Sequence, residues 1–135
     1  MKMFEIAKID SRGRIILPSS VRDNVGLLRG MHVLLVADLE KKEVHITPFA
    51  DPEAKLVEFT IDLPDVAGAL AHVASILAEN RADLLSTESR TLLRGKTAEW
   101  HAIADVSKCS CKLQELKQRL ENSPNVKRVV IRTFP

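Results

Sequence analysis

No run of apolar residues in this 135-residue chain approaches the roughly 18 that a helix needs to cross a bilayer, and a helical membrane protein is excluded. The opening stretch MKMFEIAKID lacks the apolar core of a secretory signal, so the expected location is cytoplasmic, with no membrane partner. Cysteine is scarce: Cys109 and Cys111 are the only two, one residue apart, and cannot form the framework of a small disulfide-stapled fold. The sequence also lacks the G-x-S-x-G turn, the phosphate-cradling glycine loop, H-E-x-x-H and the dinucleotide fingerprint. An enzyme is therefore the weakest function class, and no cofactor is expected.

The net charge of +2 hides an uneven distribution. Across residues 8–30 five cations (Lys8, Arg12, Arg14, Arg22, Arg29) face two carboxylates, Asp10 and Asp23. From Asp51 onward 12 basic and 12 acidic residues cancel. Pro48 and Pro52 punctuate the stretch TPFADPEAKL, and a linker is expected at residues 49–53, dividing a domain over 1–50 from one over 54–135.

The first segment shows strand-like runs at residues 15–17, 33–36 and 44–46, with a polar turn at 40–43. One short helix interrupts them: Pro18 precedes it, Ser20 is its expected cap with Asp23 three residues on, and Gly26 ends it. About 50 residues bury too little apolar surface to fold unaided. The run 33–36 is apolar at consecutive positions, which calls for cover on both faces, and a second copy is the expected source. Arg12 and Arg14 flank Gly13 between two such runs, placing them at a loop tip.

The second segment has cleaner periods. Val57, Phe59, Ile61 and Leu63 alternate with polar residues as a strand; Val66, Leu70, Val73, Ala74 and Leu77 recur at helical spacing. Strands are expected at 84–91 and 98–106 around a turn at 93–97. A helix marked by Leu113, Leu116 and Leu120 and a last strand at 126–133 complete the series. The order is β-α-β-β-α-β, that of ferredoxin-like folds: an antiparallel sheet with both helices on one face.

The residues Lys8-x-Asp10-x-x-Gly13-Arg14-Ile15-x-Leu17-Pro18, then Val21-Arg22, Gly26-Leu27 and Gly30, resemble the AbrB/SpoVT swapped-hairpin domain over roughly residues 3–49. That resemblance implies an intertwined β-barrel homodimer that lays basic loops and strands on double-stranded DNA. Lys8, Arg14 and Arg22 match positions where the family commonly carries DNA-facing cations, and Arg12 joins them by its place in the same turn. Asp23 departs from members that have a second consecutive arginine. The bland alternative for the cluster is a solvated loop. Some relatives act as antitoxins with a protein partner, but these usually end in a disordered acidic tail, whereas here a patterned domain follows.

The loop Leu63-Pro64-Asp65-Val66-Ala67-Gly68, between the first strand and first helix of the second segment, resembles that of an ACT domain over roughly residues 55–135. Pro64, Asp65 and Gly68 match the family's loop, while Ala67 replaces its second proline. The resemblance implies pairing and an amino acid or related small ligand at the pair interface. Its carboxylate would meet backbone N–H groups near Ala67 at the helix start, with Asp65, and Asp83 from the second strand, answering the ammonium. The competing reading is a plain connection that uses Gly68 for its turn and Asp65 as a helix cap.

Remaining features have structural readings. Cys109-Ser110-Cys111, with His101 nearby, falls short of four metal ligands and reads as a surface turn. His32, His45 and His72 sit in strand or helix patterns, and Trp100 lies on the apolar face of its strand. The overall expectation is a mixed fold, a swapped-hairpin dimer joined to an α+β ferredoxin-like ACT-type domain, acting as a DNA-binding transcriptional regulator. The alternative is a non-DNA interaction protein, antitoxin-like or an oligomerising ACT adaptor. Assembly is expected as a homodimer or, with a second interface, a tetramer.

Overall fold

In the computed structural model, which describes residues 1–135, the chain divides into two units, Met1–Glu53 and Ala54–Pro135. No helix is long and apolar enough to cross a membrane.

The first unit contains helix α1 (Ser19–Val25) and an antiparallel ribbon of β1 (His32–Asp38) and β2 (Glu43–Ala50). Gly26 ends α1 as expected, in the left-handed region at φ +83°, with its N–H on the Arg22 carbonyl at 2.9 Å. Ser20 does not cap the helix. It lies inside the first turn, Pro18 occupies the cap position without a side-chain bond, and the Ser20 hydroxyl instead reaches Glu5 at 3.5 Å. Residues 15–17 form no strand, because no other segment of the chain offers them a ladder. Pro48 and Phe49 belong to β2 rather than interrupting it; in a two-stranded ribbon both strands are edges, where a proline costs little. Only Leu27 and Ala50 are buried in this unit, while Phe4, Ile6, Ile9, Ile16 and all four residues of 33–36 stay exposed.

The second unit runs β3 (Leu56–Pro64), α2 (Ala69–Glu79), β4 (Asp83–Leu93), β5 (Thr97–Asp105), α3 (Leu113–Glu121) and β6 (Arg128–Thr133). Its four strands are antiparallel in the order β4-β5-β3-β6, so the expected β-α-β-β-α-β topology is realised. Alternation along β3 sends Phe59, Ile61 and Leu63 into a core shared with Trp100, Ala102 and Ala104 of β5 and Val129 of β6. The same core holds Val73 and Leu77 of α2 and Leu116 and Leu120 of α3. Alanine at 102 and 104 leaves the helices room to approach the sheet.

Helix α2 begins later than its pattern suggested. Val66 stays outside it and exposed, Leu70 is also exposed, and the buried stripe is Ala69, Val73 and Leu77. These lie at intervals of four, so the small Ala69 takes the core position that Val66 and Leu70 were expected to fill.

Candidate functional site

The basic turn of the first unit is organised by one carboxylate. Asp10 Oδ1 accepts the N–H groups of Arg12 at 2.8 Å and Arg14 at 2.9 Å, and Oδ2 receives the Arg14 Nε at 2.7 Å. The backbone closes beneath it: the Gly13 N–H donates to the Asp10 carbonyl and the Asp10 N–H to the Arg14 carbonyl, each at 3.0 Å. Gly13 makes this possible at φ +76°, a conformation that strains any residue with a Cβ. The Arg14 N–H, and after it the Arg14 guanidinium, hold the Asp10 carboxyl below its ordinary range.

The four expected DNA-facing cations are therefore not equivalent. Arg14 is tied to Asp10, and Arg22 donates its Nε to the Leu17 carbonyl at 3.0 Å. The side chains of Lys8 and Arg12 are exposed and form no ion pair. Asp10 is the participant the sequence reading left without a role. Its signal was the Asp-x-x-Gly spacing, which places Asp and Gly at the first and fourth positions of a type I turn.

In the second unit Asp65 neither caps α2 nor stands free. Its Oδ2 accepts the Gly95 N–H at 2.6 Å and its Oδ1 the Thr91 hydroxyl at 3.4 Å, fastening the β3–α2 loop to the β4–β5 turn. The cap position of α2 is Gly68, at φ +87° and without a side-chain bond. A Cβ built on Gly68 would meet nothing within 4 Å, so a larger residue there is opposed by backbone strain and not by crowding. Val66, Ala67 and Gly68 are exposed at the helix start. Beside this loop lies a cleft of about 190 Å³, walled by Asp65, Val66 and Leu70 on one side and Ser89, Arg90 and Thr91 of β4 on the other.

Asp83 does not join this site. It pairs with Asp105 at one end of the sheet, whereas Thr91, which bonds Asp65, pairs with Ala98 at the other. Eight residues of strand at about 3.3 Å each put Asp83 about 26 Å away within one chain. Thr91 and Gly95, the partners of Asp65, were missed because they lie 26 and 30 positions away in sequence.

The Cys109-Ser110-Cys111 turn lies at the surface as expected, with Ser110 exposed and both cysteines half-buried against the core. It is pinned by Asn80, whose carbonyl accepts the Ser110 N–H at 3.0 Å and whose side-chain oxygen lies 3.6 Å from Cys111 Sγ and also receives Arg119. Burial, and then the neighbouring Cys109, push the Cys111 thiol above its ordinary range. Trp100 is buried in the core, as its place on the strand suggested.

Comparison with protein-family models and with curated proteins gives no match. Among solved structures the chain is similar to the C-terminal domain of the MgtC protein from Mycobacterium tuberculosis. The TM-score is 0.49 at 16% identity, over 62% of this chain and 92% of that one. A likeness at that level defines neither fold nor function.

Proposed function

We propose that the protein is a DNA-binding transcriptional regulator whose first unit dimerises as a swapped hairpin and whose second unit is an ACT-type ligand module. The observation that carries the first half is the contrast within residues 1–53, where a tightly built turn displaying Arg12 sits on a unit with almost no buried apolar side chain. Such a unit gains a core by intertwining with a second copy, and two copies double the cationic turn. Lys8 and Arg12 are the readiest phosphate contacts; Arg14 and Arg22 keep guanidinium N–H groups beyond those already used.

The ligand half rests on the cleft beside residues 65–70. The open start of α2 offers N–H groups to a carboxylate, and Asp65, already oriented by Gly95 and Thr91, offers its remaining lone pairs to an ammonium. A ligand preferring one arrangement of the paired modules would bias how the DNA-binding units are presented. A gel shift of the full chain against random genomic fragments, with and without an amino-acid mixture, tests both halves. A shift that responds to amino acids supports the whole reading. An unresponsive shift removes the ligand half, and no shift favours an oligomerising or antitoxin-like interaction protein.

A further inference from the structure

The loop between β5 and α3 alternates in exposure. Cys109 and Cys111 are half-buried against the core while Ser110 between them is exposed, so the two thiols leave the chain on one side, as residues two apart do in an extended stretch. They also reach each other: Cys109 acts on Cys111 through its charge and through a thiol–thiol hydrogen bond. The backbone that carries them is fixed from both flanks. The Cys109 N–H donates to the Val106 carbonyl at 3.1 Å, and the Ser110 N–H and hydroxyl both donate to the Asn80 carbonyl, at 3.0 and 3.4 Å.

Two converging thiols form a ligand pair, and the surroundings decide which ion it suits. Nowhere in the chain do three His, Cys, Asp or Glu side chains come together as ligands. His101, the histidine nearest in sequence, lies on the sheet face away from the helices, with its ring nitrogens on Thr60 at 3.2 Å and Glu99 at 2.6 Å. A divalent ion such as Zn²⁺, which takes four ligands, is therefore left two short. Cu(I) is not, because this soft, filled-shell ion accepts two thiolates in line and prefers sulfur to the oxygens of Asn80 or Glu115. The charge is also met. Two thiolates around one Cu⁺ carry a net −1, which falls beside the Arg119 guanidinium, a group that already favours the Cys111 thiolate. It also lies just ahead of the positive end of α3, which starts at Leu113.

We propose that Cys109 and Cys111 bind one Cu(I) ion between their two sulfurs, with Arg119 offsetting the charge of the bis-thiolate. Binding releases the two thiol protons and forms two S–Cu bonds; the copper enters and stays monovalent, so no electron is transferred. The ion takes the place of the contact between the Cys111 thiol and Asn80 and clamps the loop ahead of α3. The inference depends neither on DNA binding by the first unit nor on a ligand in the cleft beside Asp65.

The test is anaerobic titration of the full, reduced chain with Cu(I) in the presence of the competing chelator ferrozine. One copper per chain should be withdrawn from the chelator, with a thiolate-to-copper absorption in the ultraviolet and a raised thermal midpoint. X-ray absorption of the loaded chain should show two sulfur ligands and no third. Zn²⁺ at the same concentration should change neither the absorption nor the midpoint. Cys109→Ser and Cys111→Ser should each weaken Cu(I) binding at least a hundredfold. Arg119→Gln should weaken it about tenfold, from the loss of one neighbouring charge, and Arg119→Lys, which keeps the charge, should recover most of that. No copper withdrawn by the parent chain, one copper shared by two chains, a third ligand in the absorption spectrum, or equal uptake by Cys109→Ser overturns the proposal.

Discussion

At the scale of single residues, Asn80 does the most joining per atom. It ends α2, donates its side-chain amide to the Ile76 carbonyl at 2.7 Å, and holds Arg119 and the cysteine turn. Asn80→Ala strips partners from several part-buried polar groups together, and the expected loss is about 1–3 kcal/mol. Urea unfolding followed by the single tryptophan, Trp100, reads it directly, with an unchanged midpoint as the contrary result. The same change should speed alkylation of Cys111, whose raised pKa keeps it a thiol near neutral pH. Gly68→Val should destabilise the β3–α2 loop through its positive φ, and a thermal midpoint equal to that of the parent would show that the backbone relaxes there. The legible part of this scale was local. Asp10 and Gly13 betray their turn by spacing, whereas the ties from Asp65 to Thr91 and Gly95 depend on a sheet register that no short stretch encodes.

At the scale of elements, strict alternation made β3 and β5 readable, and their inward residues form the observed core. The start of α2 was misread because an apolar period continues through Val66, while the glycine at 68 defers the helix to Ala69. Residues 15–17 are apolar enough for a strand but have no ladder in one chain. Packing against β5 has little slack, and Ala102→Leu, at a fully buried position, should cost about 1–3 kcal/mol by overpacking, measurable in the same urea titration. The end of β5 adds a pH dependence. Burial alone would raise the Asp105 pKa, but the N–H groups of Ser107 and Lys55 and the charge of Lys108 outweigh it and lower it. A depressed carboxyl contributes stability above the unfolded value of about 3.9, and that contribution disappears as pH falls through the folded value. Between pH 6 and pH 3 the parent should therefore lose more thermal stability than Asp105→Asn. Parallel curves would remove Asp105 as a source of the acid sensitivity.

At the scale of the whole molecule, the two units differ in how far one chain satisfies them. Ala54–Pro135 closes a core of its own, and Met1–Glu53 buries two apolar residues. The sequence already carried that deficit in the consecutive apolar positions 33–36, and the structure leaves all four bare. A single chain contains no surface that covers them, and a second copy is the proposed cover. Residues 1–50 alone should run as a dimer in light scattering, and a folded monomer would remove that reading. The central claim, DNA binding by this unit, is tested most directly by the salt dependence of full-chain affinity for double-stranded DNA, measured by fluorescence anisotropy. Two copies offer Lys8, Arg12, Arg14 and Arg22 twice. If all displace counterions the slope of log K against log salt is about −7, and if Arg14 and Arg22 stay with their intramolecular partners it is about −4. A slope in that interval, made shallower by about 2 in Arg12→Ala, is the predicted result; no binding at low salt, or an affinity indifferent to salt, would contradict it.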